Sequence, residues 1–184
     1  PVLIMTDAID QFWLPMVGSF KEKKFTSITQ GQINLDDLDA KNKDKKKDDK
    51  SEKEKQDKEY VDLVAQLKVV LGDQVKDIRL SSKLTDSPVC LVADEGDMDI
   101  AMEQLMAQRD TNYKGAPRIL EINGDHSLIK NMKSLLSKKE DNDLVSDAGT
   151  LLFEQARLME GKMPADPAQF SKIMNQFLLK AIPN

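Results

Sequence analysis

Apolar residues return every three or four positions through the C-terminal part of the chain. From about Asp143 to Glu160 they are Leu144, Val145, Ala148, Leu151, Leu152, Ala156, Leu158 and Met159, with Phe153 adding an aromatic on a further side. A second helix is announced by Asp166-Pro167-Ala168-Gln169, an N-cap aspartate, a proline at the first helical position and a glutamine at the third. Its stripe is Phe170, Ile173, Met174, Phe177, Leu178 and Ala181. Two helices of roughly 15 residues, each about 23 Å long, can cover one face of each other. Their combined stripe is wider than that. The surplus packs either on the rest of its own chain or on a second copy, arranged as a four-helix bundle with two-fold symmetry. Spacing alone leaves both open.

Upstream, the pattern alternates between strand and helix. Val2 to Met5 reads as a strand, Asp7 to Val17 as a helix that Gly18 ends, and Phe25 to Ile28 as a second strand. Tyr60, Leu63, Val64, Leu67, Val70 and Leu71 form one helical stripe with Gly72 as its stop. Val75 to Leu80 alternates like a half-buried strand, and Leu84-Thr85-Asp86-Ser87-Pro88 is turn chemistry. Val89 to Ala93 is continuously apolar, which predicts a strand buried on both faces. Asp97 stands ready to cap a helix from Met98 to about Gln108. Ile119 to Ile122 gives a third strand, and Asp125 caps a helix carrying Leu128, Ile129, Met132, Leu135 and Leu136. From Tyr60 the order is α-β-β-α-β-α-α-α, with no internal repeat. The predicted class is α+β: a small three-stranded sheet with covering helices and a C-terminal helical hairpin.

Composition narrows the setting. The 184 residues are 40% hydrophobic, enough for one core and a second small one. A net charge of −5 argues against nucleic acid as the main partner. Cys90 is the only cysteine, so no intrachain disulfide can form, and a reducing, cytoplasmic compartment is expected. No apolar run is long enough to span a membrane, and none is expected as a partner. The chain opens on Pro1-Val2-Leu3-Ile4-Met5, directly on a strand, as a piece cut from a longer protein would. The stretch 39–59 is almost entirely Lys, Asp and Glu with nearly balanced charge; it reads as a solvated linker or the exposed start of a helix. The expected division is thus 1–38, a terminal α/β segment; 39–59, the charged stretch; and 60–184, a second domain.

Catalytic chemistry finds little support. His126 is the lone histidine; a small hydrolase built on it would lack a nucleophile, because Cys90 lies inside an apolar strand and one histidine makes no triad or metal cluster. A capping or packing role suits it better. Asp94, Glu95, Asp97 and Asp99 lack the spacing of a calcium loop, and a helix N-terminus already accounts for acids there. No phosphate loop or dinucleotide fingerprint is present. The chain reads as no enzyme, with no cofactor and no metal of its own. Two apolar features stand out instead. Met98, Met102, Leu105 and Met106 fall on one ridge of a short helix, and methionine suits loose contact with varied apolar partners; the same ridge could pack on the sheet. Phe12 and Trp13 are adjacent aromatics that cannot both face one core, so one should be exposed.

Four strings carry a resemblance. Val2-Leu3-Ile4-Met5-Thr6-Asp7-Ala8-Ile9-Asp10-Gln11, then Val75-Lys76-Asp77-Ile78-Arg79-Leu80-Ser81 with Leu84 to Pro88, then Leu120-Glu121-Ile122-Asn123-Gly124-Asp125-His126, then Phe170-Ser171-Lys172-Ile173-Met174-Asn175-Gln176-Phe177-Leu178 resemble, in order, the 90-kilodalton heat-shock chaperones, most of all their bacterial members. The resemblance implies that 1–38 matches the end of the family's middle domain and 60–184 its C-terminal dimerisation domain. It implies a homodimer joined through an intermolecular four-helix bundle, with Leu144, Ala148, Leu151, Leu152, Met159, Phe170, Ile173, Met174, Phe177 and Leu178 at the interface. It implies unfolded clients as partners, met by Phe12, Trp13, Met98, Met102, Leu105 and Met106. ATP and magnesium would belong to an N-terminal domain without counterpart here. Glycine replaces the family's usual proline in Asn123-Gly124-Asp125-His126, which loosens that turn. The end, Ala181-Ile182-Pro183-Asn184, lacks the acidic motif that docks tetratricopeptide co-chaperones, so none is expected. A free-standing dimeric adaptor unrelated to chaperones is the alternative.

Overall fold

The computed structural model describes residues 9–25, 46–94, 115–138 and 142–182, together with Leu3, Ile4, Asp7, Asp97, Met98, Glu103 and Met106. Its elements are α1 (Asp10–Val17), β1 (Ser19–Phe20), β2 (Lys23–Lys24), α2 (Lys46–Leu71), β3 (Val75–Leu80), β4 (Val89–Val92), β5 (Arg118–Ile122), α3 (Ser127–Ser137), α4 (Asn142–Met159) and α5 (Pro167–Ala181). Two compact units result, 1–33 with 92–116 and 34–91 with 117–184.

In the first unit α1 ends where its sequence says it must. Gly18 takes φ +63° and returns its N–H to the Leu14 carbonyl, a conformation that costs glycine little. The expected strand at Phe25 is displaced: β1 and β2 form a short antiparallel hairpin before it, and Phe25 N–H closes back on the Gly18 carbonyl. Leu3 and Ile4 are not in a strand; Val2, Met5 and 26–28, the remainder of those two expected strands, lie outside the described residues. Of the expected helix after Asp97, Glu103 and Met106 are helical.

The second unit is built around α2. Tyr60, Leu63, Leu67 and Leu71 recur at helical spacing and are all buried, packed against Val75 and Ile78 of β3, Leu120 and Ile122 of β5, Ile129 and Met132 of α3, and Val145, Leu152 and Phe153 of α4. α2 begins at Lys46, so the charged stretch from 46 to 59 is the start of a helix and not a linker. The close α2–α4 approach rests on Gly149, where a Cβ would collide with Leu67 Cδ2.

The sheet runs β3-β5-β4, with β3 and β5 parallel. Its middle strand is therefore β5, every residue of which is buried. β4 is largely buried as its continuous apolar run predicts, with Val89, Leu91 and Val92 in the interior. Glu121 is 2% exposed, and its carboxylate accepts from Arg79 Nε (3.1 Å) and Nη2 (2.9 Å) and from Ser81 Oγ (2.9 Å), with Lys83 Nζ at 3.8 Å. Opposite charge and hydrogen bonds make that burial tolerable.

The two motifs either side of the sheet meet. Asn123, buried, donates from Nδ2 to the carbonyls of Thr85 (3.1 Å) and Ser87 (3.2 Å), and its backbone N–H reaches Pro88 (2.8 Å). Its Oδ1 accepts from Asp125 N–H at 3.0 Å, and Tyr60 Oη donates to the Gly124 carbonyl at 2.6 Å. The cap of α3 is His126, whose Nδ1 accepts from Leu128 N–H at 3.2 Å. Asp125, the residue expected there, instead pairs with Lys130 at 3.3 Å. His126 thus has the capping role that suited a lone histidine.

Candidate functional site

The α4–α5 hairpin is the most unevenly covered part of the second unit. Asp166 caps α5 as its sequence predicts, accepting from Gln169 N–H at 2.9 Å. Inward, Ile173 is buried while Phe170 and Phe177 are half-buried. At 100° per residue, Met174 and Leu178 follow on an adjoining face and Leu179 stands apart from them, while Ile182 is the capping residue just past the helix end. These four are 38%, 49%, 71% and 76% exposed, in the order Met174, Leu178, Ile182, Leu179. The contiguous apolar arc, from Ile173 to Leu178, thus spans about 140° of the helix circumference, and Ser171 and Asn175 separate it from Leu179. Lys172 and Gln176 occupy the polar remainder.

The ten expected interface residues divide accordingly. Ala148, Leu152 and Ile173 are buried within the one chain, so they have little surface left for a second copy. Leu144, Leu151, Phe170 and Phe177 are half-buried, and Met159, Met174 and Leu178 are exposed. Leu158, Leu179 and Ile182 are exposed alongside, and the sequence reading did not place them at the interface. For Ile182 the signal was present: it continues the step of four from Met174 to Leu178.

In the first unit, Trp13 is exposed on α1, with its indole N–H donated to Asp10 Oδ1 at 3.0 Å. Asp10 in turn accepts from Asp7 N–H at 3.2 Å, so the ring is held by one polar edge while much of its surface faces water. Met16, Val17 and Phe20 are exposed on the same segment, three residues that sequence reading did not single out. Met98 and Met106 are also exposed. Met102, Leu105 and the Phe12 side chain lie outside the described residues.

The reactive inventory stays small. Burial, and then the neighbouring Glu121 carboxylate, push the Cys90 thiol up to about 11, so it is protonated at neutral pH and a poor nucleophile. Among the described residues no group of three His, Cys, Asp or Glu side chains could hold a metal ion. None of the described helices is long and apolar enough to cross a membrane. The geometry offers apolar surface, not convergent chemistry.

Comparison with known proteins identifies the chain's family. The model of the Hsp90 protein family matches residues 1–183. The chain belongs to the Hsp90 family. Among its Hsp90 relatives, the chaperone protein HtpG of Roseobacter denitrificans is 41% identical over 183 residues, 98% of this chain and 29% of that protein. HtpG of Paramagnetospirillum magneticum is 38% identical over 181 residues, again 98% of this chain and 29% of the relative. HtpG of Streptomyces coelicolor is 37% identical over 173 residues, 94% of this chain and 26% of the relative. The chain therefore spans less than a third of the length of the Hsp90 chaperones it matches.

Proposed function

We propose that this chain is the homodimerising and client-contacting region of an ATP-driven chaperone. The observation that carries the reading is Met174 and Leu178, with Ile182 just past the helix end, exposed beside a helix face that is already in use. Such a face on a single copy is a liability in water; two copies related by a two-fold axis would hide it from both. The α4 and α5 helices of each copy then make up the four-helix bundle expected from the sequence. Dimerising holds the remote parts of two chaperones at high effective concentration, so their encounter becomes nearly intramolecular. Nucleotide chemistry belongs, in this reading, to other parts of the parent protein.

Light scattering across the micromolar range tests the assembly: the 20.7 kDa chain should report about twice its mass, and a steady monomer mass rejects the dimer. Client contact is assigned to Trp13, Met98 and Met106, with Phe12, Met102 and Leu105 beside them in sequence. Methionine adapts to varied apolar partners, and a rigid exposed indole supplies contact area at low entropic cost. Replacing Met98 and Met106 with serine should weaken suppression of aggregation of an unfolded client several-fold while leaving the far-ultraviolet spectrum and the dimer mass unchanged. Unaltered suppression would remove the methionines from the contact surface.

A further inference from the structure

A buried carboxylate at the elbow of the hairpin has no evident chemistry to perform. Glu154 on α4 is 4% exposed, and the N–H of Ala165 reaches both its oxygens, at 3.1 Å and 3.2 Å. Arg157 Nε lies 3.7 Å from Oε2, and Arg157 Nη2 donates to the Met163 carbonyl at 2.9 Å. The next residue, Asp166, is the N-cap of α5. Below the elbow, Gly161 takes φ +77° and its N–H closes on the Leu158 carbonyl at 2.9 Å, ending α4. The connection is thus tied at three points, and the last tie sits one residue before the N-cap of α5. Desolvating a carboxylate is costly, and an apolar residue at this helical position would bury more cheaply. What the carboxylate supplies and leucine cannot is an acceptor for a backbone N–H that fixes where α5 starts.

We propose that Glu154 is a positioning residue for self-association: it sets the direction in which α5 leaves the elbow, and so the placement of Met174, Leu178 and Ile182, without touching the second copy. The inference rests on the dimer reading above. With Glu154 replaced by leucine, the Ala165 N–H has lost its partner, the elbow has fewer restraints, and a self-complementary face must be ordered at each association.

The test uses the whole chain with Cys90→Ser and spin labels at cysteines replacing Gln155 and Gln176, both exposed and away from the apolar row, diluted into unlabelled protein. Glu154→Leu should broaden the α4–α5 distance distribution and weaken the dimer about tenfold or more, read by sedimentation equilibrium. Glu154→Gln keeps an acceptor oxygen for Ala165 and should restore both readouts most of the way. If Glu154→Leu does not fold, Arg157→Gln serves: it strips the second tie and should broaden the same distribution to a lesser degree. A wild-type monomer at every concentration defeats the dimer reading and this inference with it. A wild-type dimer whose Glu154→Leu and Arg157→Gln forms keep both affinity and distance overturns this inference alone. A Glu154→Gln form no better than the Glu154→Leu one overturns it as well.

Discussion

Met174→Asp combined with Leu178→Asp should convert the proposed dimer to a monomer at micromolar concentration. Each of these side chains is already about half covered by its own chain, so covering the rest is worth about 1 kcal/mol. A two-fold interface counts each position twice, so the pair removes about 4 kcal/mol, roughly three decades of affinity. Burying four carboxylates without partners would add to that loss. Both residues are substantially exposed on the single chain, so its own fold should be nearly indifferent to the change. Sedimentation equilibrium reads the first effect and thermal melting under dissociating conditions the second. Retained affinity would show that α5 associates through another face; a collapsed melting temperature would show that Met174 and Leu178 serve the monomer core.

The second large effect lies in the sheet. Arg79→Ala removes both guanidinium bonds to Glu121 and leaves a carboxylate held by Ser81 and the more distant Lys83. Taking away one partner of a buried ion pair costs about 3 kcal/mol, which in a unit of this size lowers the melting temperature by roughly 10 °C. Adding Glu121→Gln should recover much of that loss, because a neutral amide has less need of the missing charge. Glu121→Gln by itself has a further readout. Part of the upward push on Cys90 comes from the Glu121 charge, so the thiol should react with an alkylating reagent at lower pH once that charge is gone. An unchanged pH profile would mean that burial alone holds the thiol up. Equal stabilities for wild type and Arg79→Ala would mean that Glu121 is solvated and the network is not structural.

Helix faces were legible in this sequence where strand burial and loop anchoring were not. The α2 stripe of Tyr60, Leu63, Leu67 and Leu71 and the inner row of α5 follow directly from spacing, because a helix that buries one side must repeat its apolar residues at that period. The Pro167 start and the Asp166 cap are local chemistry and were read from four residues. The strand at Ile119 to Ile122 was legible but its central place was not, because strand order is set by pairing far along the chain; the neutralising partners of Glu121 likewise come from β3 and the loop after it, about forty positions earlier. The cap of α3 slipped by one residue: Asp125 and His126 both offer acceptors, and the choice is settled by Asn123, which engages the Asp125 backbone, and by Lys130, which engages its carboxylate. Glu154 was not singled out by its spacing. A clue lay in its register, three residues after Leu151 and four before Leu158, but its partner at Ala165 could not be read from a helical wheel. The stripe on α4 and α5 showed its width in sequence but not its division. Only packing separates Ile173, spent on the chain's own interior, from Leu178, which faces water.

Coverage of the outer face of α5 by a second copy is tested most directly in a mixed sample of isotope-labelled and unlabelled chains. Filtered nuclear Overhauser spectra should show cross-peaks from the methyl groups of Leu178, Leu179 and Ile182 to protons of the other copy, fading on dilution. Intermolecular cross-peaks confined to other surfaces, or none at concentrations where the mass is doubled, would contradict it.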